Sequence, residues 1–235
     1  MVGVLFPSKF EAEGFLEELT GKKETSYGDL WTCSGQLEHH PVTVGVIGIG
    51  PQPSARRTTE FLKKVPAQSV VLGGFAGSLT PRLSKGDTII AAEVSSDELI
   101  NFMKLLPNFS IAKVYTADQV VAGREARLHL AQQTGCQVVD METAPVAELV
   151  RDAGLEFMCV RAISDGLDDE VPTAILSKTY DPATGLPYPK TRLAATFALQ
   201  PWKLKALTQF VQGLHPVRDK LTTFLTSIVK EMASI

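Results

Sequence analysis

Acidic side chains cluster where three short apolar segments of the sequence end, at residues 2–6, 138–141 and 157–163. The side chains concerned are Glu11, Glu13, Asp140, Glu142 and Asp165. Carboxyl groups serve as general acids and general bases, and the chain is poor in histidine and cysteine, the other common choices. The pattern favours acid–base chemistry on a neutral polar substrate. From the residues alone, an aspartate in such a place can equally cap a helix or close a turn.

The elements that must position these side chains alternate between apolar runs and amphipathic stretches. The predicted strands are 2–6, 30–34, 41–47, 69–72, 88–94, 138–141 and 157–163, and the predicted helices are 9–19, 54–64, 124–133 and 143–153. Near-continuous apolar strands between helices predict an α/β protein, with a single-domain mixed twisted sheet that helices flank on both faces. Ligands of such sheets bind beyond the carboxyl ends of the strands, which is where the acidic residues lie.

Two glycine-rich segments, Gly48–Gly50 and Gly73–Gly77, are predicted as turns at the ends of strands. Glycine lets backbone amides approach a ligand closely, although simple turn geometry explains the same residues. Pro53 stands where a dinucleotide-binding fingerprint needs its third glycine, so a nicotinamide dehydrogenase is disfavoured. The histidines, which are His39, His40, His129 and His215, have no metal-binding spacing, and no metal is predicted.

Composition and charge exclude several classes of protein. The 235 residues carry a net charge of −3, which offers no basic excess for neutralising phosphates, so nucleic acid is not expected as a partner. No apolar run approaches the ~20 residues that a transmembrane segment needs. The cysteines are three and widely spaced, which argues against disulfides and favours a cytoplasmic location.

The carboxyl-terminal part of the chain has a different character. Residues 1–192 are predicted to form the catalytic domain, and residues 193–235 are predicted to be helices packed on the same domain, broken near Pro201 and Pro216. Residues 168–192 contain several prolines and are interpreted as a long surface excursion or lid. The apolar faces of the last helices favour packing on the sheet, with a hydrophobic ligand or contact with a membrane surface as the alternative.

The segments Asp140–Ala144 and Val160–Asp165 resemble the purine nucleoside phosphorylase / methylthioadenosine nucleosidase superfamily. The glycine-rich segments of that family are matched in the same order by Gly45–Gly50, Gly73–Leu79 and Lys85–Asp87. The resemblance covers roughly residues 1–170. It implies a nucleoside phosphorylase-like fold, a small-molecule purine nucleoside as partner, no metal or organic cofactor, and a homodimer or higher homo-oligomer. Its members cleave an N-glycosidic bond through an oxocarbenium-like state.

The resemblance also implies a role for each matching residue. Asp165 would protonate the departing purine at N7, which requires a pocket that keeps this carboxyl protonated, and Glu142 would hold the ribose hydroxyls. Glu13 would activate water, with Glu11 on another face of the same helix. The other substrate contacts implied are Met141 against the sugar, Val120 and Val121 along the base, and Ile49, Gly50, Phe75, Ala76 and Gly77 around them.

Departures from the family pattern bear on the reaction. The phosphate loop of the hexameric phosphorylases is absent, with Phe6–Lys9 in its place, and the nearest candidate cations for phosphate are Arg56, Arg57 and Arg82. Water is therefore favoured over phosphate. Phe75 stands where hydrolytic members often carry serine, and Val120 lies near a position where an aromatic ring commonly stacks on the base.

Three functions follow from these residues. The favoured one is a nucleosidase acting on an adenine nucleoside. The alternatives are a phosphate-dependent purine nucleoside phosphorylase and a non-catalytic nucleoside-binding protein. The segment between Val94 and Val114 is short, and the carboxyl-terminal helices are apolar. In both features the chain is similar to the hopanoid-associated branch of this superfamily, which implies a 5′-substituted lipid nucleoside as substrate.

Overall fold

Strands and helices alternate along the chain in the computed structural model, which describes residues 1–97, 100–101, 110–172, 180–189, 192 and 201–234. The strands are β1 Val2–Phe6, β2 Thr20–Tyr27, β3 Leu30–Leu37, β4 His40–Val46, β5 Ser69–Ser78, β6 Thr88–Ala91, β7 Ser110–Ala112, β8 Val114–Thr116, β9 Val138–Asp140, β10 Glu156–Asp165, β11 Tyr180–Asp181 and β12 Leu186–Pro187. The helices are α1 Lys9–Glu17, α2 Pro51–Lys64, α3 Arg124–Thr134, α4 Thr143–Asp152 and α5 Pro201–Ser234.

The main sheet is mixed, with a parallel centre. Its strands follow the order β2-β3-β4-β1-β5-β10-β6-β7, and β9 joins the end of β5 and carries β8. β1 runs parallel to β4 and β5, and β10 runs parallel to β5, whereas β2, β3 and β4 pair in antiparallel fashion. The carboxyl ends of β1, β5 and β10 therefore meet at one edge. This arrangement confirms the predicted fold class.

Helices cover both faces of the sheet, which explains why its central strands are apolar throughout. Successive residues of a strand point to opposite faces. Val4 accordingly packs in the core cluster with Phe15 of α1 and Leu221 of α5, whereas Leu5 packs in the opposite cluster with Phe61 of α2. All these side chains are inaccessible to solvent.

The predicted break near Pro216 is wrong, because α5 continues through that residue. A proline inside a helix removes one backbone hydrogen bond and costs about 3 kcal/mol. Leu214, Val217 and Leu221 lie on either side of it and are buried, so packing against the sheet offsets that cost. None of the described helices is apolar over enough of its length to cross a membrane.

The predicted excursion falls only partly within the described residues. Residues 173–179 and 190–191 lie outside them. β11 and β12 form a hairpin that is bound to the body of the protein by the backbone amide of Ile49, which donates to Pro182 O at 2.8 Å, and by that of Lys9, which donates to Gly185 O at 3.0 Å. Pro182 lies at the wall of the cavity described next.

Candidate active site

A cavity of about 620 Å³ lies at the carboxyl ends of the central strands. Its volume is in the range of sites for small organic ligands. The predicted site residues in its lining are Asp165, Glu142, Met141, Val120, Val121, Phe75, Ala76, Gly77 and Ile49. Gly50 adjoins them, since its backbone amide donates to Glu142 Oε1 at 2.9 Å. The structure thus brings together residues that the sequence spreads over more than one hundred positions.

Glu142 lies directly before α4 and points into the cavity from a buried position. Besides the amide of Gly50, it faces the guanidinium of Arg161, whose Nη2 is 3.5 Å from Glu142 Oε2. Burial raises the pKa of Glu142 to about 8, against the attraction of Arg161, and the neighbouring Asp140 and Glu11 carboxyls act in the same direction as burial. The carboxyl therefore holds its proton up to mildly alkaline pH.

Arg161 is inaccessible to solvent and contacts two residues of the cavity lining, Asp140 and Glu142. Its Nη2 is 2.5 Å from Asp140 Oδ2 and donates to Thr143 Oγ1 at 3.1 Å. Among the described residues its Nη1 has no hydrogen-bond partner. A Cβ on Gly74 would lie 2.2 Å from this Nη1, so glycine is required at that position. The turn predicted at Gly73–Gly77 is wrong, since these residues belong to β5. The buried guanidinium of Arg161 thus interacts with the carboxyl groups of both Asp140 and Glu142.

Glu11 lines the cavity from the first turn of α1. Its Oε1 accepts from the backbone amide of Phe75 at 2.8 Å, and its Oε2 accepts from the hydroxyl of Ser8, the residue that caps the helix. Burial raises the pKa of Glu11, opposed chiefly by the hydrogen bond from Ser8. A carboxyl held in this way is a stronger base than one in water.

Glu13 does not lie in the cavity, which corrects the position expected for the water-activating residue. Its side chain is 55% exposed and forms an ion pair with Arg218 of α5. Residues two apart on an α-helix point in nearly opposite directions, so Glu11 and Glu13 cannot share one face. The sequence contained a signal for which of the two residues faces the cavity. Ser8 and Glu11 have the spacing of a capping box, which places Glu11 in the first turn of the helix.

Asp165 is the last residue of β10 and lines the cavity, as does Val121. Ser164 Oγ is 2.5 Å from Asp165 Oδ1, and the guanidinium of Arg127 contacts Asp165 Oδ2. Arg127 also lines the cavity and was not predicted from the sequence. It belongs to α3, a helix that is otherwise largely exposed, and no motif marks it.

A second part of the cavity wall is apolar. It is formed by Phe10 of α1, Phe75 of β5, and Phe210 and Leu214 of α5. The rings of Phe10 and Phe75 have centroids 6.1 Å apart and meet edge to face, and Phe10 also meets His215 at 5.6 Å. This wall can contact an uncharged, apolar group of a ligand.

The arginines considered for phosphate binding lie elsewhere. Arg57 is buried against Asp29, with its Nη2 2.7 Å from Asp29 Oδ2, and Arg56 contacts the same carboxylate. Arg82 lies in the loop after β5. Within the described part of the chain, none of these three arginines lines the cavity.

Glu142→Gln is expected to stabilise the fold increasingly as pH rises. The ordinary pKa of 4.5 applies to the unfolded chain, and the folded value is about 8, so the folded state binds this proton more tightly. The contribution of Glu142 to stability is fully present below pH 4.5 and is lost as pH rises through about 8. Glutamine stays neutral, so the difference in melting temperature between variant and wild type should grow from about pH 5 to about pH 9.

Thermal melting of both proteins across this pH range measures the effect. Glu148→Gln, on an exposed position of the same helix, is the control and should melt close to the wild type throughout. A constant difference for Glu142→Gln would show that Glu142 ionises in the fold as it does in water.

The comparisons with known proteins agree with this geometry. A 5′-methylthioadenosine/S-adenosylhomocysteine nucleosidase from Exiguobacterium sp. is 24% identical over 202 residues, which cover 72% of this chain and 86% of that protein. Native futalosine hydrolase of Helicobacter pylori has a TM-score of 0.75 at 20% identity, over 98% of this chain and 97% of that one. The 5′-methylthioadenosine/S-adenosyl homocysteine nucleosidase of Helicobacter pylori has the same TM-score at 21% identity, with the same coverage.

The family resemblance seen in the sequence is likewise confirmed. Residues 2–111 and 95–181 match one family, and together these ranges contain Glu11, Glu142 and Asp165. With more than half of its length matched, the chain belongs to the phosphorylase superfamily.

Proposed function

We propose that this protein is a nucleosidase that hydrolyses the N-glycosidic bond of a purine nucleoside, with adenine as the base. The observation that carries the proposal is that three carboxyl groups, those of Glu11, Glu142 and Asp165, line one cavity of suitable size. Membership of the phosphorylase superfamily and the nucleosidase names of its relatives support it.

In this proposal Asp165 acts on the leaving base. Its carboxyl donates a proton to N7 as the bond between C1′ and N9 breaks, so that the purine departs neutral rather than as an anion. Val120 and Val121 lie beside Asp165 in the cavity lining and provide an apolar surface for the base. General acid catalysis of this kind contributes about 10²–10⁴-fold to the rate.

Glu142 and Met141 hold the sugar. The Glu142 carboxyl forms hydrogen bonds with the ribose hydroxyls, and the amide of Gly50 and the guanidinium of Arg161 keep it in place.

Glu11 activates the water. Its carboxyl lines the cavity, and burial raises its pKa, so it is a base that a water molecule in the cavity can reach. A water molecule beside Glu11 would donate a hydrogen bond to this carboxyl. Its oxygen bonds to C1′ while Glu11 takes its proton, which completes the exchange of base for hydroxyl.

The apolar wall suits a nucleoside whose 5′ position carries an apolar group. Phe10, Phe210 and Leu214 present no charge to that group. Thioether and lipid 5′ substituents share this chemistry, and the similarity to the hopanoid-associated branch favours the lipid. Water is preferred to phosphate because Arg56, Arg57 and Arg82 lie outside the cavity, and because the guanidinium of Arg127, which does line it, is already bound to Val121, Gly166 and Asp165.

Base release from adenosine, methylthioadenosine and a 5′-alkyl adenosine, with and without phosphate, tests the proposal. Free adenine and a free sugar, formed at the same rate in both buffers, are expected. A sugar 1-phosphate formed only with phosphate would instead establish a phosphorylase. Binding without turnover of every nucleoside would establish a binding protein.

Asp165→Asn is expected to lower kcat by about 10²–10⁴-fold, because asparagine cannot donate the proton to N7. Asparagine retains the shape of the side chain, and its amide oxygen can accept from Arg127 while its amide nitrogen donates to Ser164 Oγ, so the circular dichroism spectrum should be unchanged. Turnover of this variant at the wild-type rate would exclude Asp165 as the acid.

A further inference from the structure

Arg127 makes an unusual set of contacts for a residue of a surface helix. Only 1% of its surface is exposed. Its Nε donates to Val121 O at 3.1 Å, its Nη1 donates to the carbonyl of Gly166, and its Nη2 donates to Asp165 Oδ2. One guanidinium therefore joins the loop proposed to hold the base to the residue proposed to protonate it.

The two oxygens of Asp165 differ in what their partners can do. Oδ2 faces Arg127, which has N–H donors and no acceptor, so a proton on Oδ2 would meet another hydrogen. Oδ1 faces the hydroxyl of Ser164, which can turn its single hydrogen away. A second acceptor for that hydrogen is present, because Ala76 O lies 3.2 Å from Ser164 Oγ.

We infer that Arg127 is a positioning residue that holds Asp165 Oδ2 and thereby confines the transferable proton to Oδ1. The inference rests on the proposed function. When Asp165 is protonated, Ser164 donates to Ala76 and Oδ1–H points to N7 of the base. After the proton has moved to N7, Ser164 and Arg127 both donate to the ionised carboxylate. Because the same guanidinium bonds to Val121, the acid and the base-binding loop keep a fixed separation.

A matched pair of substrates separates this role from a merely structural one. The pair is the same nucleoside with and without a methyl group on N7. The methylated base is already cationic and leaves as a neutral molecule, so its departure needs no proton from Asp165. A residue that acts through the acid should matter for the first substrate and not for the second.

Arg127→Met is expected to lower kcat for the unmethylated nucleoside by about 10–100-fold, a share of the general acid contribution, and to change kcat for the methylated one by less than about threefold. Arg127→Lys, which keeps a charge and one donor, should fall between Arg127→Met and the wild type. It also provides a folded variant if Arg127→Met is unstable. Arg124→Gln alters an exposed ion pair with Asp168 on the same helix and should leave both rates unchanged.

The outcomes distinguish this inference from the proposed function. Asp165→Asn, measured beside the others, must show the same selective loss if Asp165 is the acid. If it does and the Arg127 variants lose both activities equally, Arg127 is only structural and the inference is wrong. If the wild type hydrolyses neither substrate, or if Asp165→Asn shows no selectivity, the proposed function itself is overturned.

Discussion

Glu11→Gln should lower kcat for nucleoside hydrolysis by about 10³-fold, within the range of general base catalysis. Glutamine keeps the size of the side chain and can still accept from the amide of Phe75, so the fold is retained. It cannot take a proton from water, and the raised pKa that makes Glu11 an effective base is lost with the carboxyl. Single-turnover rates of base release, measured with enzyme at a saturating excess over substrate, report this step directly.

The matched control is Glu13→Gln, on the same helix two residues away. Glu13 is half exposed and contacts Arg218, so its replacement should change kcat by less than about threefold. The two variants discriminate between the residue that the sequence pattern favoured and the one that the structure places in the cavity. Loss of activity in Glu13→Gln with retention in Glu11→Gln would restore the original assignment.

Arg161→Met should lower the free energy of unfolding by about 3–5 kcal/mol, because it removes the cation from a buried cluster of acids. Asp140 is inaccessible to solvent and lies 2.5 Å from Arg161, so without the guanidinium its charge is left in a medium of low polarity. Glu142 and Glu11 lie near the same guanidinium, and as acidic residues they cannot replace its positive charge. Denaturant unfolding of the wild type and the variant measures the difference.

Two further variants make this prediction specific. Arg56→Met removes a surface ion pair with Asp29 and should cost less than about 1 kcal/mol. Adding Asp140→Asn to Arg161→Met should recover part of the lost stability, since it removes the charge that Arg161 balances. A double variant less stable than Arg161→Met would mean that Asp140 stabilises the fold through Thr116 and Thr143 rather than through Arg161.

The sequence was sufficient for the fold class and for nine of the residues that line the cavity. Val2–Phe6 is a strand as predicted, and its residues are apolar because both faces of the sheet are covered. Glu142 comes just after β9 and Asp165 ends β10. Because the ends of these two strands meet, the sheet topology brings both side chains to one cavity. Apolar spacing did not predict which of Glu11 and Glu13 faces the cavity, because the direction of each side chain depends on the residue at which the helix begins.

The buried arginines show what local sequence patterns cannot supply. Arg161 is visible as the one charged residue in the apolar segment 157–163, yet its partners come from β9 and α4. Arg127 lies on a helix rich in polar residues, and its contact with Asp165 spans 38 positions. Burial of such a side chain is decided by tertiary contacts, which carry no periodicity along the chain.

The contact between α1 and α5 has a consequence for refolding. Arg218 and Glu13 are separated by 205 positions, and Phe210 and Leu214 of the same helix line the cavity together with Phe10. Contacts between segments so distant along the chain require a large loop to close, which makes them slow to form. The parallel centre of the sheet can therefore assemble before the cavity has its last wall, and recovery of ligand binding would lag behind recovery of secondary structure.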